Sequence, residues 1–378
     1  MKVGLGCLEF TKRKGIGRYV VELSHEISRA GHETHCHCIA WDRPLRDRVH
    51  IHRIHTLNIV NTSRLATFAF FCRRSLEKGR YDITHTMGNV VGSDVITAHS
   101  CHKAGMKILG TPVGPADRFR LMVEQRNYVH RQYHHVIAVA RGVKNELMQE
   151  YGVPGNDISV IPNGVNMAEF NASAREAEGR SIRERLGLSR DDIVALFVGN
   201  EFDRKGLTFV IRALPLTGMP RLNVIVAGGD DSSSYQRMAR EASVADRIHF
   251  VGSIGDIAPY YAASDMFVLP SGYEAFSLAT LEASASGLPI LTTRINGSEE
   301  LIEDGVNGFF IERDVDSLAR RLSDVAGNEE LRKRLSANAR KSVEGYSWEV
   351  IGRRIMDVYD EVYAMKSRGQ EGHYQISV

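Results

Sequence analysis

The sequence predicts an α/β protein made of two doubly wound parallel-sheet domains. Its 378 residues exceed what one compact core usually holds. Short apolar runs alternate with segments of helical period in both halves, the pattern of strands joined by crossover helices. Several of these runs end in glycine, histidine or cationic residues, at the strand exits where open parallel sheets bind ligands.

The first element is a strand at Lys2 to Cys7, followed by a loop from Phe10 to Gly17 that contains Gly15 and Gly17. A helix then carries Tyr19, Val20, Leu23 and Ile27 on one face and stops at Gly31. Strand, glycine loop and helix form a general phosphate-cradling arrangement, although the third glycine of a dinucleotide fingerprint is missing. Strands are expected at Glu33 to Ala40 and Arg48 to Ile54. His35, Cys36, His37 and Cys38 alternate between the two faces of their strand, so this run predicts no metal site. A helix is expected over residues 64–78. Tyr81 to Thr86 and Asp94 to Ser100 read as strands running into His85 and His99. Residues 102–121 are glycine-rich and basic and read as a mobile loop on the acceptor side. A helix (115–134), a strand (135–139) and another helix (141–151) complete the first half. Pro162, Asn163 and Gly164 then mark a turn, and the polar stretch 171–190 reads as a linker.

The second half opens on a buried strand, Ile193 to Val198, which runs into GNEFDRKG. Arg204 and Lys205 sit at that turn, and two cations there can neutralise a diphosphate leaving group. Strands follow at Leu222 to Ala227 and Arg247 to Val251, with a helix near Ile257 to Ala263. Asp230 and Asp231 read as a helix cap. Met266 to Leu269 is the next strand, broken by Pro270, Ser271 and Gly272. Ser277 is an N-cap candidate for a helix that Gly287 and Pro289 end. A helix N-terminus offers free N–H groups and partial positive charge to a diphosphate. Glu274 in the loop and Glu282 on the helix can accept hydrogen bonds from vicinal sugar hydroxyls. A strand at Pro289 to Thr293 and helices at 314–327, 329–344 and 347–366 end the chain.

Composition excludes several classes. A hydrophobic fraction of 43% and a charged fraction of 25% are ordinary for a globular protein. No apolar run approaches the roughly 20 residues that span a bilayer, and the N-terminus shows no convincing cleavage region. Five scattered cysteines suit free thiols in a reducing compartment. Residues 1–165 carry 23 Lys and Arg against 14 Asp and Glu, a balance of +9, while the remainder carries −7. A basic half joined to an acidic half predicts different partners, the basic one facing an anionic acceptor or membrane surface. A cytoplasmic location follows, with peripheral contact at the inner face of the membrane and no nucleic-acid partner.

PSGYEAFSLATLEASASGLP resembles the E-x7-E signature of glycosyltransferase family 4, retaining enzymes of the GT-B fold, in which two Rossmann-like domains face each other across a cleft. IPNGVNMAEF resembles that family's IPNGVD-x-x-x-F segment, with Asn166 replacing Asp, where the chain leaves the first domain. The resemblance implies an acceptor-binding domain at 1–165 and a nucleotide-sugar-binding domain at 166–350. It also implies a helix at 351–366 that crosses back to the first domain. Residues 367–378 read as a disordered tail.

The resemblance further implies roles. Glu274 contacts the donor sugar, Glu282 the ribose, and the amides near Phe276, Ser277 and Leu278 the diphosphate. His99 matches the histidine beside the donor sugar, and His85 matches a strand-end histidine. Gly15 matches a glycine that approaches the donor, and Gly17 is offset by one from its partner. The family usually places an arginine where this chain has Asn200. Arg204 beside Lys205 takes that role in relatives similar to the lipopolysaccharide-core glucosyltransferases. Gly297 and Glu300 resemble a GGxxE turn, with Asn296 replacing its first glycine.

The expected activity is transfer of a hexosyl group from a nucleotide-diphospho-sugar to a glycan, lipid-linked or small-molecule hydroxyl. By analogy the configuration is retained and no metal or other cofactor is needed. A UDP-sugar such as UDP-glucose is favoured and GDP-mannose is the runner-up. The alternatives are a sugar-nucleotide epimerase of the same architecture and a non-catalytic partner subunit that keeps the fold. An NAD-dependent oxidoreductase is disfavoured, because neither glycine pair completes G-x-G-x-x-G.

Overall fold

The structure is a computed structural model, and it describes residues 1–12, 15–42 and 49–374. Arg13 and Lys14 of the glycine loop and Arg48 of the expected third strand lie outside the described residues. The chain divides into two compact units, one of Met1–Gly164 with Trp348–Val378 and one of Val165–Ser347.

The first unit contains strands β1 (Lys2–Gly6), β2 (Glu9–Phe10), β3 (Glu33–Cys38), β4 (Ala40–Trp41), β5 (His50–Arg53), β6 (Ile83–Thr86), β7 (Val95–Ala98), β8 (His135–Ala138) and β9 (Ile158–Val160). Seven form an all-parallel sheet of order β5-β3-β1-β6-β7-β8-β9, and β2 pairs separately with β4. The core lies where the helix Gly15–Arg29 and the last helix, Trp348–Tyr374, pack on the sheet. Tyr19, Leu23 and Ile27 from one meet Ile351, Ile355 and Tyr359 from the other, all buried.

Three expectations for the first unit are corrected. Residues 102–121 are mainly helical, His102–Leu109 and Pro115–Glu124, rather than a loop. Gly110 is the left-handed C-cap of one helix, and Pro115 opens the next where its missing N–H costs nothing. The helix expected over 115–134 changes to a π turn at Gln125–Val129. The last helix continues through the expected tail to Tyr374, since no proline stops it.

The second unit contains β10 (Ile193–Val198), β11 (Leu222–Ala227), β12 (Ile248–Gly252), β13 (Met266–Leu269), β14 (Ile290–Thr292) and β15 (Gly308–Phe310). They form one parallel sheet of order β12-β11-β10-β13-β14-β15. Strands such as IVALFV and MFVL are continuous apolar runs because helices cover both faces of such a sheet. Strand β15 had no signal beyond three residues of GFF. The supposed linker contains the helix Glu176–Arg185, held on the unit by Arg183, which bonds the Ala263 carbonyl and the Asp265 carboxylate at 2.8 and 2.7 Å.

The order of this sheet places its topological switch point between β10 and β13, first and fourth in sequence within the unit. Ligands of doubly wound sheets bind at the strand exits beside such a point. Strand β10 exits into residues 199–205 and β13 into residues 270–274.

Candidate functional site

At the β10 exit, Gly199 has φ 151°, and a Cβ there would lie 2.2 Å from Lys205 Cδ. Any side chain would therefore displace the Lys205 stem. The chain then turns through Glu201 in the left-handed region into a short helix, Phe202–Lys205, that carries both cations. Lys205 Nζ donates to Glu274 Oε1 at 2.7 Å, and Arg204 Nη1 donates to the same oxygen at 2.9 Å. Ser271 Oγ adds a third bond at 3.1 Å. Arg204 also bonds the Tyr273 carbonyl and pairs with Glu201. Three of the four candidate catalytic residues, Arg204, Lys205 and Glu274, thus form one cluster made by the two loops at the switch point.

Burial sets the electrostatics. The Glu274 and Lys205 side chains are 12% and 11% exposed, and that of Arg204 is 25% exposed. Burial pushes the Glu274 carboxyl up, but Lys205, Arg204 and the Ser271 bond outweigh it and hold it below its ordinary value. The group is an anion that satisfies two cations.

The helix Leu278–Ala285 starts beside this cluster in sequence. Ser277 caps it, its Oγ accepting from the Thr280 amide at 3.2 Å. Leu278 and Ala279 keep N–H groups that the helix itself cannot satisfy. Phe276 is buried under this turn, its ring 6.0 Å from that of Tyr346. Glu282 is buried on the helix and accepts from Tyr261 Oη at 2.9 Å.

Sequence reasoning missed the supports. Asn200 fills its place structurally, accepting from the Gly229 amide at 2.7 Å and so joining the exits of β10 and β11. Asp231 accepts from the Ser233 amide at 2.9 Å, at the start of the helix that follows, as expected, while Asp230 accepts from the Phe202 amide at 2.9 Å. Arg313 donates to the carbonyls of Asp203 and Pro270 at 2.8 and 3.3 Å, tying the two loops together. Only Asn200 carried a signal, being a departure from an expected arginine.

In the first unit His99 follows β7, its ring edge-on to Tyr19 at 4.6 Å between centroids. Burial lowers its pKa to about 4, so it is neutral at neutral pH, and its buried Nε2 has no hydrogen-bond partner among the described residues. His85 differs. Its Nδ1 meets Tyr359 Oη at 2.6 Å and its Nε2 meets Thr97 Oγ1 at 2.7 Å, so both nitrogens serve the fold. Gly17 has a packing reason for its identity, since a Cβ there would lie 2.6 Å from the Thr11 carbonyl oxygen. Gly15 is exposed at the start of the same helix.

Two family models match the chain. One described as Glycosyltransferase Family 4 matches residues 13–169, and one described as Glycosyl transferases group 1 matches residues 179–342. The chain is 26% identical over 394 residues to the uncharacterized glycosyltransferase MJ1607 of Methanocaldococcus jannaschii, covering 97% of this chain and 100% of that one. It is 30% identical over 246 residues to D-inositol 3-phosphate glycosyltransferase of Streptomyces scabiei, covering 61% of this chain and 54% of that one. Among solved structures it is similar to WaaG, a glycosyltransferase involved in lipopolysaccharide biosynthesis, with a TM-score of 0.85 and 20% identity over 94% of this chain and 99% of that one. It is also similar to Anabaena HepE in complex with UDP and glucose, with a TM-score of 0.79 and 18% identity over 96% of this chain and 100% of that one.

Proposed function

The chain belongs to the glycosyltransferases of GT-B fold, with a family 4 domain followed by a group 1 domain, and from that premise we propose that it moves a hexosyl group from a nucleoside-diphosphate sugar, UDP-linked in preference to GDP-linked, to an acceptor hydroxyl. The observation that carries the reading is the cation pair Arg204 and Lys205 at the switch point, adjacent in sequence and sharing one buried carboxylate, Glu274, from the facing loop.

In this reading the diphosphate lies against Lys205, Arg204 and the amides of Leu278 and Ala279. These groups are fixed before the leaving group develops its charge, so little reorganisation accompanies bond breaking. Glu274 orients the sugar and keeps the cations in place. Glu282 takes the ribose hydroxyls. The configuration is retained, a departing phosphate oxygen takes the acceptor proton, and no metal takes part in the transfer. HepE, solved with UDP and glucose, supports the choice of a UDP-sugar.

A thermal-shift panel of UDP, GDP and ADP tests the reading through linkage, since a ligand of the native state alone raises Tm. UDP is expected to stabilise most, and Glu282→Ala to remove most of that shift. Equal shifts from all three nucleotides, or an unchanged UDP shift in E282A, would count against the assignment.

The basic first unit is also proposed to rest on an anionic membrane. Leu57, Ile59, Val60, Phe70 and Phe71 are exposed, and the Arg74 guanidinium lies 5.9 Å from the Phe70 ring. No helix among the described residues is long and apolar enough to cross a membrane. Co-sedimentation with anionic vesicles that falls at high salt is expected. Equal recovery with zwitterionic vesicles would contradict the electrostatic part.

A further inference from the structure

A second cluster of polar side chains lies on the β3–β5 edge of the first sheet, three strands along from β7 and His99. The parallel register pairs His35 with His50 and His37 with His52. Residues two apart on a strand share a face, and so do cross-strand partners. Glu33, His35 and His50 therefore project from one face, while Cys36 and Cys38 project from the other and are buried in the core.

The contacts within the cluster are specific. His35 Nε2 lies 2.7 Å from Glu33 Oε1, and His35 Nδ1 lies 2.8 Å from His52 Nε2. The His50 ring stacks on His35 at 4.7 Å and makes no hydrogen bond among the described residues. One ligating atom from each of Glu33, His35 and His50 falls within 4.8 Å of the others. His37 is occupied elsewhere, by Ser75 Oγ and Tyr81 Oη, both at 2.8 Å.

We propose that Glu33, His35 and His50 form a binding site for a divalent transition-metal ion of the zinc class, with His52 orienting the His35 ring. Two imidazoles and one carboxylate are a donor set that zinc accepts, with the remaining position open to water. Glu33 and His50 are exposed and free to close the last distance. Binding at His35 Nε2 requires the His35 proton to sit on Nδ1, where His52 Nε2 accepts it. The His52 proton then sits on its own Nδ1, so both rings change from the Nε2–H to the Nδ1–H tautomer and no proton is released. A partner on the far nitrogen is the usual way a ligating histidine is held. The site is separate from the transfer chemistry and does not depend on it.

The test is titration of the tag-free protein with Co²⁺, followed by displacement with Zn²⁺. Wild type is expected to bind about one Co²⁺ per chain, with the visible absorption of a low-coordinate ion, and to yield it to Zn²⁺. His50→Ala and Glu33→Gln should each weaken Zn²⁺ binding by at least about tenfold, and His52→Ala by about tenfold through the lost partner. Metal-free H50A should keep the wild-type Tm and transferase activity, which separates ligand loss from misfolding. Zn²⁺ affinity that is equal in wild type, H50A and E33Q overturns the proposal, as does a Co²⁺ spectrum no different from that of the ion in buffer.

Discussion

Replacing Lys205 with alanine is expected to lower kcat by about 10²- to 10³-fold, the usual cost of removing one fixed group from a site of the kind proposed, which stabilises developing negative charge. Lys205 is the less exposed of the two cations, and Gly199 gives its stem room to lie flat against the β10 exit. The fold tolerates the change, because Arg204 still pairs with Glu274 at 2.9 Å. Lys205→Arg restores little, since a planar fork does not fit a place shaped for a point charge on a flexible stem. Steady-state kinetics at saturating donor decide the matter. A rise in KM with kcat intact would mean that Lys205 binds donor and transition state equally, and so does not catalyse.

Replacing Glu274 with glutamine has two effects that a merely structural carboxylate would not combine. The first is a loss of stability of about 3 kcal/mol, at the low end for breaking a buried pair, because Arg204 keeps Glu201 as a partner. The second is that a nucleoside diphosphate raises the Tm of E274Q by more than it raises that of wild type. The phosphates supply the countercharge that the cations have lost. Turnover is expected to fall as well, since Glu274 is proposed to orient the sugar. The pH dependence has a definite sign. The Glu274 carboxyl is held below its unfolded value of 4.5. Its contribution to stability is therefore present above pH 4.5 and lost as the pH falls through the lower folded value. E274Q lacks that part of the acid loss, so its unfolding curve is flatter below pH 4.5. An E274Q protein with wild-type Tm, or with a smaller nucleotide shift than wild type, would count against the shared-counterion account.

Much of the second unit was legible because its signals are local. IVALFV and MFVL are buried strands by composition alone, and Ser277 announces a helix start through an oxygen that caps the Thr280 amide. Arg204 and Lys205 stand out as adjacent cations at a glycine-marked turn. What the sequence hides is anything made across distance. Arg313 joins the loops of Asp203 and Pro270 from 110 and 43 residues away, and nothing in its neighbourhood foretells it. Local composition also misleads. The glycines and basic residues of 102–121 suggested a loop, yet Gly110 and Gly114 only flank two helices. The metal site proposed at His35 does not show in the run itself, whose residues alternate between two faces. The parallel partner strand brings His50 and His52 onto the same face, and that register is set by the fold rather than by the run itself.

The proposed transfer requires the second unit to grip the diphosphate of the donor at its sheet switch point. A crystal structure with bound nucleoside diphosphate tests it most directly. Phosphate oxygens are expected within hydrogen-bond distance of Lys205 Nζ and the Leu278 amide. Phosphates bound away from both groups would contradict it.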